Sequence, residues 1–195
     1  VPEPILAPSR PVAPFASLEA ALTIIGRTPA VLRGLVDALE PPVLEAGSRP
    51  AGALTGSKGW GPRQVAEHLV DVEDIAFMDR VRRLVNAGVS GEQPYIRSID
   101  PPARLVEGGY AARTLENLLV ELEQRRAGDV VWLRSLPAGA LDSQGEHDRA
   151  GIFAARDLIH YWACHDLLHL RQIVRGLQDS LAPYAGNLTV FFEEV

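Results

Sequence analysis

Apolar residues recur at helical spacing along most of the chain, and prolines and glycines cut that pattern into four long segments. The first has Ser17 as a candidate cap and Leu18, Ala21, Leu22 and Ile25 on one face; it restarts at Thr28-Pro29 and continues through Val31, Leu32, Leu35, Val36 and Leu39 until Pro41-Pro42 stops it. Pro62 suits the first turn of a second helix through Val65, His68, Leu69, Val72, Ile75, Met78, Arg82 and Val85 to Gly88. A third spans about Ala112 to Leu136. Leu115, Leu118, Leu119, Leu122, Val130 and Leu133 form its stripe, Glu121, Glu123, Arg125 and Arg126 fall largely on the solvated side, and Gly128 is a local weakness. The fourth runs from about Ile152 to Gln178, and Gly186 with Phe191-Phe192 reads as a short docked tail.

Between these segments lie stretches without a helical period. Residues 1–14 hold five prolines and predict an extended arm over 1–16. Ala46 to Pro62 is a loop rich in Gly, Ser and Pro, with Trp60 as its large apolar anchor, and residues 89–109 form the longest loop, of a size that often lines a site. No alternating strand pattern of useful length and no internal repeat is visible. The expectation is an all-α four-helix bundle over residues 17–195, preceded by the proline-rich arm.

With 195 residues, 47% of them hydrophobic, the chain can bury one sizeable core. A net charge of −6 gives no basic footprint, which argues against partners bound through nucleic acid phosphates or an anionic membrane surface. Cys164 is the one cysteine, so no internal disulfide framework forms. No apolar run approaches the roughly 18 residues that span a bilayer, and Val1 does not open a basic and then apolar leader. A soluble, cytoplasmic protein is expected.

The histidines change the picture from a bundle to a bundle with chemistry. His165 and His169 stand four residues apart, so both leave one face of the fourth helix about one turn from each other. Leu158, Trp162, His165, His169 and Gln172 succeed one another at steps of four, three, four and three, the seam of a helix that packs inward. On the second helix Val65, His68, Val72 and Ile75 share a face in the same way. Three neutral imidazoles from two inward faces suit Zn, Ni, Fe or Cu and leave coordination positions open. The ordinary alternative is three separate core histidines, each needing its own hydrogen-bond partner. His160 falls on the opposite side of the fourth helix, partly solvated or packed on the first helix, and His147 lies in a loop, so neither joins the set. His165-Asp166-x-x-His169 differs from the zinc-protease pattern in having Asp for Glu, and no third His comes after it at the required distance. Asp71 and Asp166 are candidate proton-transfer groups beside the ligands, with support of the ligands or simple solvation as the alternative; that alternative, in either form, suits Asp166, which is turned some 100° off the seam. Trp60, Trp162 and Tyr95 are candidates for the mouth, with packing in the core as the plainer alternative.

The run Ala163-Cys164-His165-Asp166-Leu167-Leu168-His169-Leu170-Arg171-Gln172-Ile173, together with Trp60, Gln64-Val65 and His68-Leu69 upstream, resembles the DinB/YfiT-like superfamily. Leu181-Ala182-Pro183-Tyr184-Ala185-Gly186 before the closing aromatics, and Thr28-Pro29, are similar to that family as well. The resemblance covers nearly the whole chain after the arm. It implies an up-up-down-down bundle and a divalent metal, often nickel, zinc or iron, at the positions of His68, His165 and His169. It further implies either a metal-dependent hydrolase or an S-transferase using a low-molecular-weight thiol such as bacillithiol or mycothiol, and it does not choose between them. The rival reading is a metal-bearing but non-catalytic binding or stress-response module, a dimer through an exposed helical face. A family name gives no ground for a DNA repair role in so acidic a chain.

Overall fold

The computed structural model describes residues 18–47, 59–137 and 139–194. The expected arm over 1–16, the cap at Ser17 and most of the loop before Trp60 lie outside them. Seven α-helices are present among the described residues: α1 (Leu18–Val36), α2 (Pro41–Leu44), α3 (Pro62–Val72), α4 (Asp79–Ser90), α5 (Pro101–Glu107), α6 (Leu115–Ser135) and α7 (Ala155–Leu181). A π-helical segment, Glu73–Met78, joins α3 to α4 without a break. The four long units are therefore α1, α3 with α4, α6 and α7, and they make the expected four-helix bundle, with α1 packed on α6 and α7 and α3 on α6 and α7.

Local chemistry sets the helix ends. Thr114 Oγ1 accepts the Asn117 amide at 3.1 Å and starts α6, Asp100 caps α5 through the Ala103 amide, and Asp157 accepts the Ala154 amide at 2.8 Å at the start of α7. Gly91, at φ 75°, ends α4 in the left-handed conformation that glycine adopts without strain. Gly128 does not interrupt α6, and an added Cβ there meets nothing within 4 Å. Gly128→Ala therefore stabilises the protein by about 0.5–1 kcal/mol, measured by chemical denaturation.

The π segment overturns part of the sequence reading. The stripe expected beyond Val72 runs through Ile75, Met78, Arg82 and Val85, but the deeply buried side chains are Phe77, Met78, Val81 and Leu84, and Arg82 is exposed. The wider turn, closed by i→i+5 bonds, breaks the 3.6-residue phase, and beyond it the buried face falls on Val81 and Leu84 instead of Arg82 and Val85.

Pro29 stands inside α1 rather than at a restart. It has no N–H to give to the Ile25 carbonyl one turn back. Arg126 Nη1, from α6, donates to that carbonyl at 2.8 Å instead, and Thr28 Oγ1 donates to the Ile24 carbonyl at 3.0 Å.

A small sheet, which the sequence pattern does not announce, accompanies the bundle. β1 (Tyr95–Ile96) pairs in parallel with β2 (Gln144–His147), which pairs antiparallel with β3 (Gly151–Ala154). Strands of two and four residues are too short to show a period of two, and Ile152, taken as the start of the fourth helix, is in β3. Gly145 makes the sheet possible, since a Cβ there would lie 2.6 Å from Leu84 and 2.8 Å from the Pro94 carbonyl. The tail is also less docked than expected: Phe191 is 60% exposed and Phe192 42%.

The core has two parts, one around Ile25, Phe77, Leu84 and Trp162, the other around Leu32, Leu69, Leu118 and Ile173. Along α3, His68 falls between Val65 of the second and Val72 of the first; along α7, His165 and His169 fall between Trp162 and Ile173. The histidines thus occupy the junction of the two.

Candidate metal centre

α3 and α7 bring His68, His165 and His169 together by their Nε2 atoms. His165 Nε2 lies 3.2 Å from His68 Nε2 and 3.2 Å from His169 Nε2, and one ligand atom from each residue lies within 4.8 Å of the others. His68 and His169 are buried and His165 is partly so. The Trp60 ring covers the group, 4.8 Å from the His68 ring and 6.4 Å from that of His169. Phe77 closes another side at 5.2 Å from His165.

The hydrogen bonds around the rings fix one tautomer. Gln172 Nε2 donates to the Trp60 carbonyl at 3.2 Å, which turns Gln172 Oε1 toward His169 Nδ1 at 3.0 Å. An amide oxygen only accepts, so His169 carries its proton on Nδ1 and presents a bare lone pair at Nε2. His165 Nε2 touches two such nitrogens, and a neutral ring nitrogen holds one proton or none; a single N–H would have to divide between both neighbours. Two nitrogens 3.2 Å apart can both lie about 2.1 Å from one ion, the ordinary Zn–N length, so His165 with either neighbour fits a divalent transition metal, and the three rings together form a group that could hold one. The Nδ1 atoms of His68 and His165 are buried without a hydrogen-bond partner, so these two rings lack the support that His169 has from Gln172.

Burial favours the neutral rings. It holds His68 down at about 3 and His165 at about 2, with neighbouring histidines adding to both effects. His169 is lowered by burial as well, against the Gln172 hydrogen bond and the Asp166 charge. Neutral imidazole is the form that binds a metal.

The two candidate carboxylates are committed elsewhere. Asp71 accepts from Arg104 Nη2 at 2.8 Å and Nε at 3.3 Å and from the Tyr110 hydroxyl at 2.9 Å, which ties α3 to α5 and the turn after it. Burial, together with the hydrogen bond to Asp71 and its charge, raises the Tyr110 hydroxyl to about 12. Asp166, which helical phase turns off the seam, is not solvated: it is fully buried and paired with Arg126, whose Nη2 donates to Oδ1 at 3.1 Å and whose Nη1 donates to Oδ2.

Arg126 is the residue that sequence reasoning missed. Expected on the solvated face of α6, it is fully buried, bonded to Asp166, to Glu73 through Nε and to the Ile25 carbonyl, with its guanidinium 4.9 Å from the centre of the Trp162 ring. Burial works against its charge, but Asp166 and Glu73 outweigh burial and keep its pKa above the ordinary value. The spacing held the signal, because Leu122, Arg126, Val130 and Leu133 stand at steps of four, four and three on the apolar stripe itself. Trp162 stacks on Phe77 at 4.8 Å, fully buried in the core, and so does not line a mouth. Tyr95 is half exposed in β1, where its carbonyl accepts from Arg83. His147, read as a loop residue, is in β2, and His160 is half-buried with Nδ1 2.8 Å from the Arg156 carbonyl; neither belongs to the three-histidine group.

Comparison with known proteins agrees with this architecture. Among solved structures, YfiT from Bacillus subtilis, described as a probable metal-dependent hydrolase with an unusual four-helix bundle topology, matches with a TM-score of 0.72 and 18% identity, over 90% of this chain and 94% of its own. A mycothiol-dependent maleylpyruvate isomerase matches with a TM-score of 0.56 and 14% identity, over 86% of this chain and 68% of its own. At such identities the likeness is one of fold. No curated protein matches the chain. Among the described residues, no helix is long and apolar enough to cross a membrane. The family model of the DinB superfamily matches residues 24–173, and the chain belongs to that superfamily.

Proposed function

We propose that this protein is a metal-dependent enzyme, of hydrolase or thiol S-transferase type, whose divalent ion is held by His68, His165 and His169. The observation that carries the reading is the meeting of three Nε2 atoms from two helices, one of them fixed as a bare acceptor by Gln172. Zn, Ni and Fe all accept three imidazoles, and such an ion, when bound, acidifies a water or thiol at an open position. The chain's own residues prepare that position. Gln172 and the Trp60 carbonyl orient His169, and burial keeps all three rings neutral. Trp60 and Phe77 limit the access of bulk water from two sides. Asp71 and Asp166, each paired with an arginine, hold helices in register rather than receive protons.

A low-molecular-weight thiol as co-substrate, a homodimer and a cytoplasmic setting go with this reading. The test has two parts. Protein purified without an affinity tag contains close to one equivalent of a transition metal, and the metal-loaded form turns over a thiol with an electrophile, or hydrolyses an ester or amide, with saturation; His165→Ala loses both metal and turnover. Less than about 0.1 equivalent, with no uptake of added Ni or Zn, overturns the metal. Ligand-dependent thermal stabilisation without turnover overturns the enzyme and leaves the binding module.

A further inference from the structure

The aromatic rings around the three histidines differ in how much water they see. Trp60, half-buried, covers His68 and His169, and Phe77, 2% exposed, lies against His165. Tyr161 is 58% exposed, and its ring centre stands 6.0 Å from that of His165 and 6.2 Å from that of Phe77. His165, the ligand that Tyr161 meets, is also the one of the three that is only partly buried. The group therefore opens toward water on the Tyr161 side.

Helical spacing puts Tyr161 there. It precedes His165 by four residues on α7, so the two side chains leave one face a turn apart. Leu168, 51% exposed, and Cys164, also exposed, flank His165 on the outer side of the same helix. Phe77 comes from the π segment and is already spent, since it stacks on Trp162 with their planes 3° apart. Tyr161 has no such partner among these rings: its plane meets that of His165 at 55° and that of Phe77 at 43°, so neither neighbour lies flat on its face. A planar group brought to the histidines from solvent finds that face within the separations at which aromatic rings pack.

We propose that Tyr161 is a specificity-determining residue of this site, its uncovered ring face receiving an aromatic group that the substrate carries next to the atom reacting at the three histidines. The substrate class is then an aryl carbonyl compound or aryl-bearing electrophile in preference to an aliphatic one. This inference rests on the metal-enzyme reading above. A Tyr161 that only covers Phe77 would make the same ring contacts and would not distinguish an aromatic ligand from an aliphatic one of equal bulk.

The zinc-loaded protein is titrated calorimetrically with benzohydroxamate, cyclohexanecarbohydroxamate and acetohydroxamate, which bind through the metal, and each affinity is corrected for the ligand's own affinity for zinc in water. Benzohydroxamate binds about three- to tenfold more tightly than its cyclohexane match. In Tyr161→Leu the advantage is gone, while zinc content and the affinity for acetohydroxamate stay as in the parent. Tyr161→Phe, which keeps the ring, keeps the advantage. Equal affinity for the matched pair in the parent, an advantage that survives Tyr161→Leu, or one lost in Tyr161→Phe overturns the aryl site and leaves the metal reading standing. Protein that takes up zinc but binds none of the three ligands overturns this inference together with the open coordination position. Protein that takes up no zinc overturns the metal reading and this inference with it.

Discussion

Adding zinc or nickel to metal-free protein, at free ion about a thousand times the dissociation constant, stabilises the folded state by about 4 kcal/mol, because the assembled site exists only there. For a chain of this size that raises Tm by about 10 °C. His165→Ala removes the nitrogen that lies 3.2 Å from both partners, and the shift disappears. Gln172→Ala leaves all three rings but frees His169 to turn or to move its proton, and metal affinity falls by about 10–100-fold. Differential scanning calorimetry with and without metal reads both effects. An unchanged shift in His165→Ala would remove the three-histidine site from consideration.

Arg126→Leu costs about 3–5 kcal/mol, the largest loss expected of any single substitution here, since it leaves the Asp166 and Glu73 carboxyls without their cation in a fully buried place. Replacing all three together, as Arg126→Met, Asp166→Leu and Glu73→Gln, costs much less than the single change, because the uncompensated Asp166 charge goes too. The same cluster sets a pH dependence. Burial, only partly offset by Arg126, lifts Glu73 to about 8 from an ordinary 4.5. The folded state therefore binds this proton more tightly than the unfolded state; the stabilisation is full below about 4.5 and is lost as pH rises through about 8. Urea denaturation from about pH 5 to 9 shows the parent losing stability relative to Glu73→Gln as pH rises, since the buried histidines, neutral in both proteins, contribute equally to the two profiles and with a sign opposite to that of Glu73. Parallel profiles would show that Glu73 does not hold its proton.

The gathering of the three histidines was legible in the sequence because its geometry is local. Two residues four apart on one helix share a face whatever the helix packs against, and His68 lies on the buried stripe of α3 ahead of the π segment. Beyond the wider turn the helical period points one residue away from the true buried face, since the π segment leaves composition and spacing unmarked. Residue type alone assigns the Arg126 charge to solvent; its partners Glu73 and Asp166 lie 53 and 40 residues away in sequence, beyond any local pattern. β1 and β2 form a pair that no short segment announces, held by the close approach of Gly145 to Pro94. Gln172 was visible on the seam, but its task of fixing the His169 tautomer depends on the Trp60 carbonyl, 112 residues from it.

The proline in the first helix has a consequence for how the molecule breathes. Its gap is closed by a side chain 101 residues away in sequence, and that same side chain grips the helix bearing His165 and His169. Fraying in the middle of α1 therefore cannot proceed as a private event of that helix; it releases Arg126 and loosens the seat of the histidines, so amide exchange there reports on large-scale opening of the whole bundle.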